Sequence, residues 1–199
     1  MPETIDHWSA EPDLPALKHA LKVRDRNPAE ALTLFRALAS AGSPMSMIYI
    51  GHAYQEGNGT SKDLAETERW YRSAADAGSI WALHALGCLY LMQKRYDEGK
   101  HSFRFAAAAG FSPAIYQLGR MYFFGKGVER DVAKAKVHLE DASALGNVWA
   151  TRLLGHLLIR THLNAMELLR GVFLRWVRPL FDALVVLCIE GMDSDKLSE

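Results

Sequence analysis

The apolar positions of this chain recur at helical spacing. Leu86, Gly87 and Tyr90, and again Leu118, Gly119 and Tyr122, put a small residue and an aromatic on one side of a helix. A second kind of segment carries Ala65, Trp70, Tyr71, Ala74 and Ala75 in one place and Ala133, Ala135, Leu139 and Ala142 in another. Alternation at period two is absent, so strands are not expected and the fold class reads as all-α.

These segments repeat. Four of them end alike, at Gly42, Gly78, Gly110 and Gly146, with spacings of 36, 32 and 36 residues. A second ladder at Gly51, Gly87, Gly119 and Gly155 has the same irregular spacing. Two ladders sharing one irregularity mark an internal repeat, and a repeat of this length means stacked helix pairs. Each glycine of the second ladder costs about 1 kcal/mol of helix propensity, so it is expected to admit a neighbouring helix at close range. The short unit is the one that reads Tyr90-Leu-Met-Gln-Lys-Arg-Tyr96, where its neighbours have Gly57-x-Gly59 and Gly125-x-Gly127. Four missing residues predict a tightened turn. Ser43, Ser79 and Asn147 follow terminal glycines as N-cap candidates, and Pro44 suits a first helical position.

Leu118 to Ala135 reads Leu-Gly-x-x-Tyr-x-x-Gly-x-Gly-Val-x-x-Asp-x-x-Lys-Ala. A second copy runs from Ile50-Gly51 through Tyr54, Gly57, Gly59, Lys62-Asp63, Trp70-Tyr71 and Ala74-Ala75 to Gly78. This pattern resembles the Sel-one-like repeat family, relatives of tetratricopeptide repeats, over roughly residues 28–161. The resemblance implies a right-handed α-solenoid of antiparallel helix pairs that serves as an adaptor or assembly scaffold. The pair over 14–41 is degenerate, and the last repeat loses the motif after Gly155. Some members of the family are secreted, with paired cysteines in each repeat. Here Cys88 and Cys188 stand a hundred residues apart, so that role is not carried over.

Composition narrows the function. Apolar residues make up 49% and charged residues 23%, which suits a folded globular chain. The 23 basic and 23 acidic residues balance, so no global field draws nucleic acid. No His-Glu-x-x-His, phosphate loop, Ser-x-x-Lys or Gly-x-Ser-x-Gly occurs, and His156 to His162 has the wrong spacing for two metal ligands on one helical face. His52 and His156 occupy equivalent repeat positions, where Cys88 and Arg120 stand in the other units, which points to a shared structural place. No enzyme activity, cofactor or metal is expected.

The ends differ from the middle. Residues 1–13 form an acidic segment, 14–161 the repeat solenoid, 162–190 two apolar or amphipathic helices, and 191–199 a tail. Leu168, Leu169, Val172, Phe173 and Trp176 share one side of the first of these helices. Asn164, Glu167, Arg170, Arg175 and Arg178 share the other. They either cap the solenoid or dock on a membrane surface or a partner's helix. The start, Met-Pro-Glu-Thr-Ile-Asp, has no signal-peptide character, and Gly171 to Ile189 is too interrupted by charge to span a membrane. A cytoplasmic protein is expected, membrane-associated where the C-terminal helices serve for docking.

The main functional expectation is a scaffold that holds a partner protein in a concave groove. Related solenoids line that groove with the first helix of each unit. Positions six and three before each ladder glycine, then one and four after it, would face inward. Those are Ile48, His52 and Gln55; Trp81, His84, Cys88 and Leu91; Tyr116, Arg120 and Phe123; and Trp149, Arg152 and His156. Trp81, Phe123 and Trp149 could instead pack between repeats. Aromatics with two arginines and no carboxylate suit a partner segment with apolar anchors and an acidic residue or free carboxylate. A peripheral membrane or envelope-assembly component docked through residues 163–190 is the alternative.

Overall fold

The computed structural model describes residues 11–161, 165–178 and 180. They form α1 (Leu14–Arg24), α2 (Pro28–Ser40), α3 (Pro44–Glu56), α4 (Leu64–Asp76), α5 (Ile80–Met92), α6 (Tyr96–Ala108), α7 (Ser112–Phe124), α8 (Val132–Ala144), α9 (Val148–Thr161) and α10 (Ala165–Val172). A π-helical turn, Phe173–Val177, continues α10. No strand occurs among the described residues. The described residues form an all-α array of helix pairs, and the chain divides into two compact units between Phe111 and Ser112.

The helix ends follow from local chemistry. Ser43 accepts from the Ser46 amide at 3.1 Å, Ser79 from Ala82 at 3.4 Å and Asn147 from Ala150 at 3.0 Å, and Pro44 opens α3. These are the expected caps. Gly42, Gly78, Gly110 and Gly146 all have φ between 78° and 90°. A Cβ on any of them would meet nothing within 4 Å. Backbone handedness, not space, demands glycine there. Each lets the following amide turn back onto the helix, as Ser79 N does to Ala74 O at 3.0 Å.

The second ladder has the opposite cause. A Cβ on Gly51 would come 2.4 Å from Cε1 of Tyr71, and one on Gly87 would come 2.4 Å from Cε1 of Phe103. On Gly119 it would come 3.0 Å from Leu139. Each of these three glycines therefore receives the largest buried side chain of the helix that follows it, whereas Gly155, the fourth of the ladder, faces the backbone of Gly171. Tyr71, Phe103 and Leu139 are all fully buried. Burying a side chain of this size contributes roughly 1.5–3 kcal/mol.

The shortened unit shows how four residues are saved. In the long units, Gly57, Gly59, Gly125 and Gly127 adopt positive φ, and the loops close by Asp63 N to Tyr54 O at 2.9 Å and Asp131 N to Tyr122 O at 3.1 Å. Between α5 and α6 a single residue, Lys94 with φ 61°, makes the turn, and Arg95 N reaches Tyr90 O at 2.8 Å.

In the first unit, α1 to α6, the core gathers Leu17, Phe35, Ile50, Tyr71, Leu86 and Leu89. Glu11, from the acidic segment, accepts from the Met45 amide at 2.9 Å and from the Ser43 hydroxyl. This carboxylate sits at the start of α3, where the helix dipole favours it.

In the second unit, α10 packs on α9 through Gly155 and Gly171, with Leu174 buried beside them. The helical wheel put Leu169, Val172, Phe173 and Trp176 on one side of this helix, as a face that either caps the solenoid or docks elsewhere. All four are exposed, from 41% at Val172 to 64% at Leu169. α10 meets α9 through the face that carries Gly171, because two facing glycines permit a closer approach than bulky side chains do. Asn164 and the apolar run and tail beyond Leu180 lie outside the described residues, as do the side chains of Glu167 and Leu168.

Candidate functional site

The first helices of two successive units, α3 and α5, stand side by side over α4. Between them lies a cavity of about 270 Å³ lined by Ile48, His52 and Gln55 of α3, Trp81, His84 and Cys88 of α5, and Met45, Tyr49, Tyr71 and Ala85. Six of the seven positions expected to face inward from these two helices meet in this one space. The seventh, Leu91, does not line it; its side chain lies toward Gly99 of α6. Met45 was legible, since it stands six residues before Gly51. Tyr71 was not read as lining, because it belongs to a second helix.

Tyr71 forms the floor. Its hydroxyl donates to Oε1 of Gln55 at 2.8 Å and meets Nδ1 of His52 at 3.0 Å. With that proton committed to Gln55, the Nδ1–H of His52 donates to the hydroxyl, and Nε2 is left as an acceptor. Burial lowers the His52 pKa and raises that of Tyr71, so both groups are neutral at pH 7.

The α5 wall is aromatic. Trp81 and His84 both stand edge-on to Phe111, with ring centres at 4.9 and 5.5 Å. Trp81 keeps 40% of its surface exposed, so packing and lining are not exclusive there. Sγ of Cys88 lies 3.7 Å from Nε2 of His84. A thiol beside an imidazole can be a nucleophilic pair, but burial pulls the His84 pKa down to about 4. So desolvated an imidazole is a poor base at neutral pH, and the uncharged thiol–imidazole pair is favoured. No carboxylate lines the cavity. Its chemistry is that of an apolar slot with neutral hydrogen-bonding groups, suited to a side chain with a polar edge.

The second unit separates its expected residues. Phe123 is 6% exposed and packs on Phe124 and His156, with ring centres at 4.8 and 6.0 Å, so it is a core residue and does not line a groove. Its position, four after the ladder glycine, turns inward to the core here. Trp149 is 64% exposed, with the Arg152 guanidinium 5.5 Å from its ring. Arg120 lies 5.6 Å from the Tyr116 ring and donates to Gln117 at 3.0 Å. Both arginines thus rest on aromatic faces, a geometry that holds a guanidinium ready for an anion. Burial lowers the His156 pKa, helped by Arg175 and Arg160. Among the described residues no group of three or more His, Cys, Asp or Glu is placed to hold a metal ion. No helix among them is long and apolar enough to cross a membrane.

Known proteins share this architecture. A Sel1 repeat protein from Oxalobacter formigenes superposes with a TM-score of 0.71 at 25% identity, over 80% of this chain and 70% of that one. A protective antigen of uropathogenic Escherichia coli with an SLR fold gives 0.65 at 26% identity, over 80% and 36%. By sequence, an uncharacterised protein of Neisseria meningitidis serogroup B is 33% identical over 122 residues, covering 61% of this chain and 26% of its own. Chitin synthase regulatory factor 1 of Schizosaccharomyces pombe is 31% identical over 112 residues, covering 53% and 25%. The chain spans about a quarter of the length of these curated relatives. The Sel1 repeat family matches residues 23–43, 44–79 and 112–147. The unit over α5 and α6 lies outside those matches, yet Phe103 on Gly87 repeats the contact of Tyr71 on Gly51. The chain thus carries three Sel1 repeats, in a helix-pair architecture similar to that of solved Sel1 repeat proteins.

Proposed function

We propose that this chain is a non-enzymatic scaffold that holds a segment of a partner protein in the cavity between α3 and α5. Sel1 repeat proteins act generally as protein-interaction scaffolds. The observation that carries the finer reading is the convergence of Ile48, His52, Gln55, Trp81, His84 and Cys88 on one space. An apolar side chain of the partner fills it, and a partly exposed Trp81 at its edge is the kind of residue that dominates binding energy. In the second unit, Arg120 and Arg152 meet an acidic group of the partner. No carboxylate lines the cavity and burial holds its two imidazoles uncharged, which favours recognition over chemistry.

The test is affinity capture with the intact chain beside a Trp81→Glu, Gln55→Lys double variant. Both side chains border the cavity, so the fold is expected to survive, as judged by circular dichroism. Loss of a captured protein from the folded variant supports the reading. Equal recovery by both proteins contradicts it.

A further inference from the structure

A second cavity, of about 280 Å³, lies within the first unit between α2 and α3, where α1 ends. Tyr49 and His52 line both this space and the α3–α5 cavity, and so stand between the two. Its floor is apolar. Leu32 and Phe35 are buried there, and the Phe35 ring stacks on Tyr49 with centres 5.1 Å apart. Asn58 borders it from the loop after α3, where Gly59 lies so close to the start of α2 that a Cβ on it would come 2.6 Å from the Pro28 carbonyl oxygen.

Two opposite charges border the same space. Arg24, the last residue of α1, holds its guanidinium 5.5 Å from the Tyr49 ring centre. Its Nε donates to the exposed Asp25 carboxylate at 3.0 Å, which leaves both Nη groups as donors. Glu56, the last residue of α3, forms no side-chain hydrogen bond or ion pair with any described residue, Arg24 included. The repeat does not require this carboxylate. Five residues after the ladder glycine, where Glu56 stands, the other units have Met92, Phe124 and Arg160.

We propose that this cavity binds a free α-amino acid with an apolar side chain, its carboxylate at Arg24, its ammonium at Glu56 and its side chain against Leu32 and Phe35. The charges select this class of ligand. A small molecule that meets a guanidinium and a carboxylate in one space carries both signs itself, on neighbouring atoms. A peptide carries its terminal charges at opposite ends, and a phosphate or a fatty acid would set an anion against Glu56. The apolar floor adds a preference for leucine-like or phenylalanine-like side chains, and the volume is at the small end of ligand pockets.

The test is calorimetric titration of the full chain with three probes, in the absence of any partner protein. They are L-phenylalanine, N-acetyl-L-phenylalanine, which lacks the ammonium, and L-phenylalanine methyl ester, which lacks the carboxylate. L-phenylalanine should bind saturably, and each blocked form at least about tenfold more weakly, because each leaves one charge unmet. Glu56→Gln should weaken L-phenylalanine by a similar factor and leave the N-acetyl form unchanged. Arg24→Gln should weaken L-phenylalanine and leave the methyl ester unchanged. Both side chains reach solvent, so both variants should keep the wild-type circular dichroism. No saturable binding of L-phenylalanine, equal binding of the three probes, or a folded Glu56→Gln variant that binds as wild type does overturns the proposal.

Discussion

The ring of Tyr71 on α4 occupies the space that any side chain at Gly51 on α3 would need, with Cε1 2.4 Å from where a Cβ would stand. Phe103 does the same to Gly87, while Leu139 leaves Gly119 a looser 3.0 Å. Alanine raises helix propensity by about 1 kcal/mol over glycine, and overpacking costs about 1–3 kcal/mol. Gly51→Ala and Gly87→Ala should therefore lower the unfolding free energy. Gly119→Ala should fall close to wild type, because a leucine tip can move where a buried aromatic ring cannot. Urea denaturation of the three variants checks the order. Equal effects at all three sites would contradict the packing described.

Much of this was legible in the glycines. Both ladders were visible as spacing, and the repeat, the helix pairs and the caps at Ser43, Ser79 and Asn147 followed from them. The helix-propensity cost of the second ladder also pointed to close approach by a neighbouring helix, but not to which side chain fills the space. The facing residue, Tyr71 or Phe103, sits on another helix. Gln55, Leu91 and Phe123 share one register position, four after the ladder glycine, yet Gln55 lines the α3–α5 cavity, Leu91 lies toward Gly99 and Phe123 is buried. The register rule treats a helix as a straight cylinder and ignores where the next helix crosses it. At the C-terminal end the apolar wheel of α10 left a buried and an exposed face both open, and did not point to Gly171 as the contact with α9. The role of Glu11 at the start of α3 was hidden, since 34 residues separate it from Met45.

Acid should loosen the first unit through His84. Burial against Phe103 and Phe111 pulls its pKa from 6.5 down to about 4, so the folded state resists a proton that the unfolded chain accepts. The resulting stability is complete above about pH 6.5 and is lost as pH falls toward about 4. One such group contributes a slope of up to about 1.4 kcal/mol per pH unit in that window. His84→Gln should flatten the stability profile between these values relative to wild type. Parallel profiles would show that His84 does not carry this effect.

Arg120 and Arg152 rest on Tyr116 and Trp149 at the surface of the second unit. Reversing both charges, Arg120→Glu with Arg152→Glu, removes local stacking worth about 0.5–1 kcal/mol per pair at exposed sites, so melting should stay near wild type. Partner binding should be abolished, because an acidic group would then meet two carboxylates. Retained binding would show that no acidic group is read there, and would leave the α3–α5 cavity to act alone.

The central claim is that the partner enters the cavity between α3 and α5. Site-specific photocrosslinking tests it most directly. A benzophenone amino acid replaces Trp81, at the edge of the cavity, or Phe105, which is 56% exposed on α6 and does not line it. Irradiation in cells should join a discrete partner to the chain from position 81 and leave position 105 unlinked. Linkage from position 105 alone, or from neither position in a folded, expressed protein, would contradict the account.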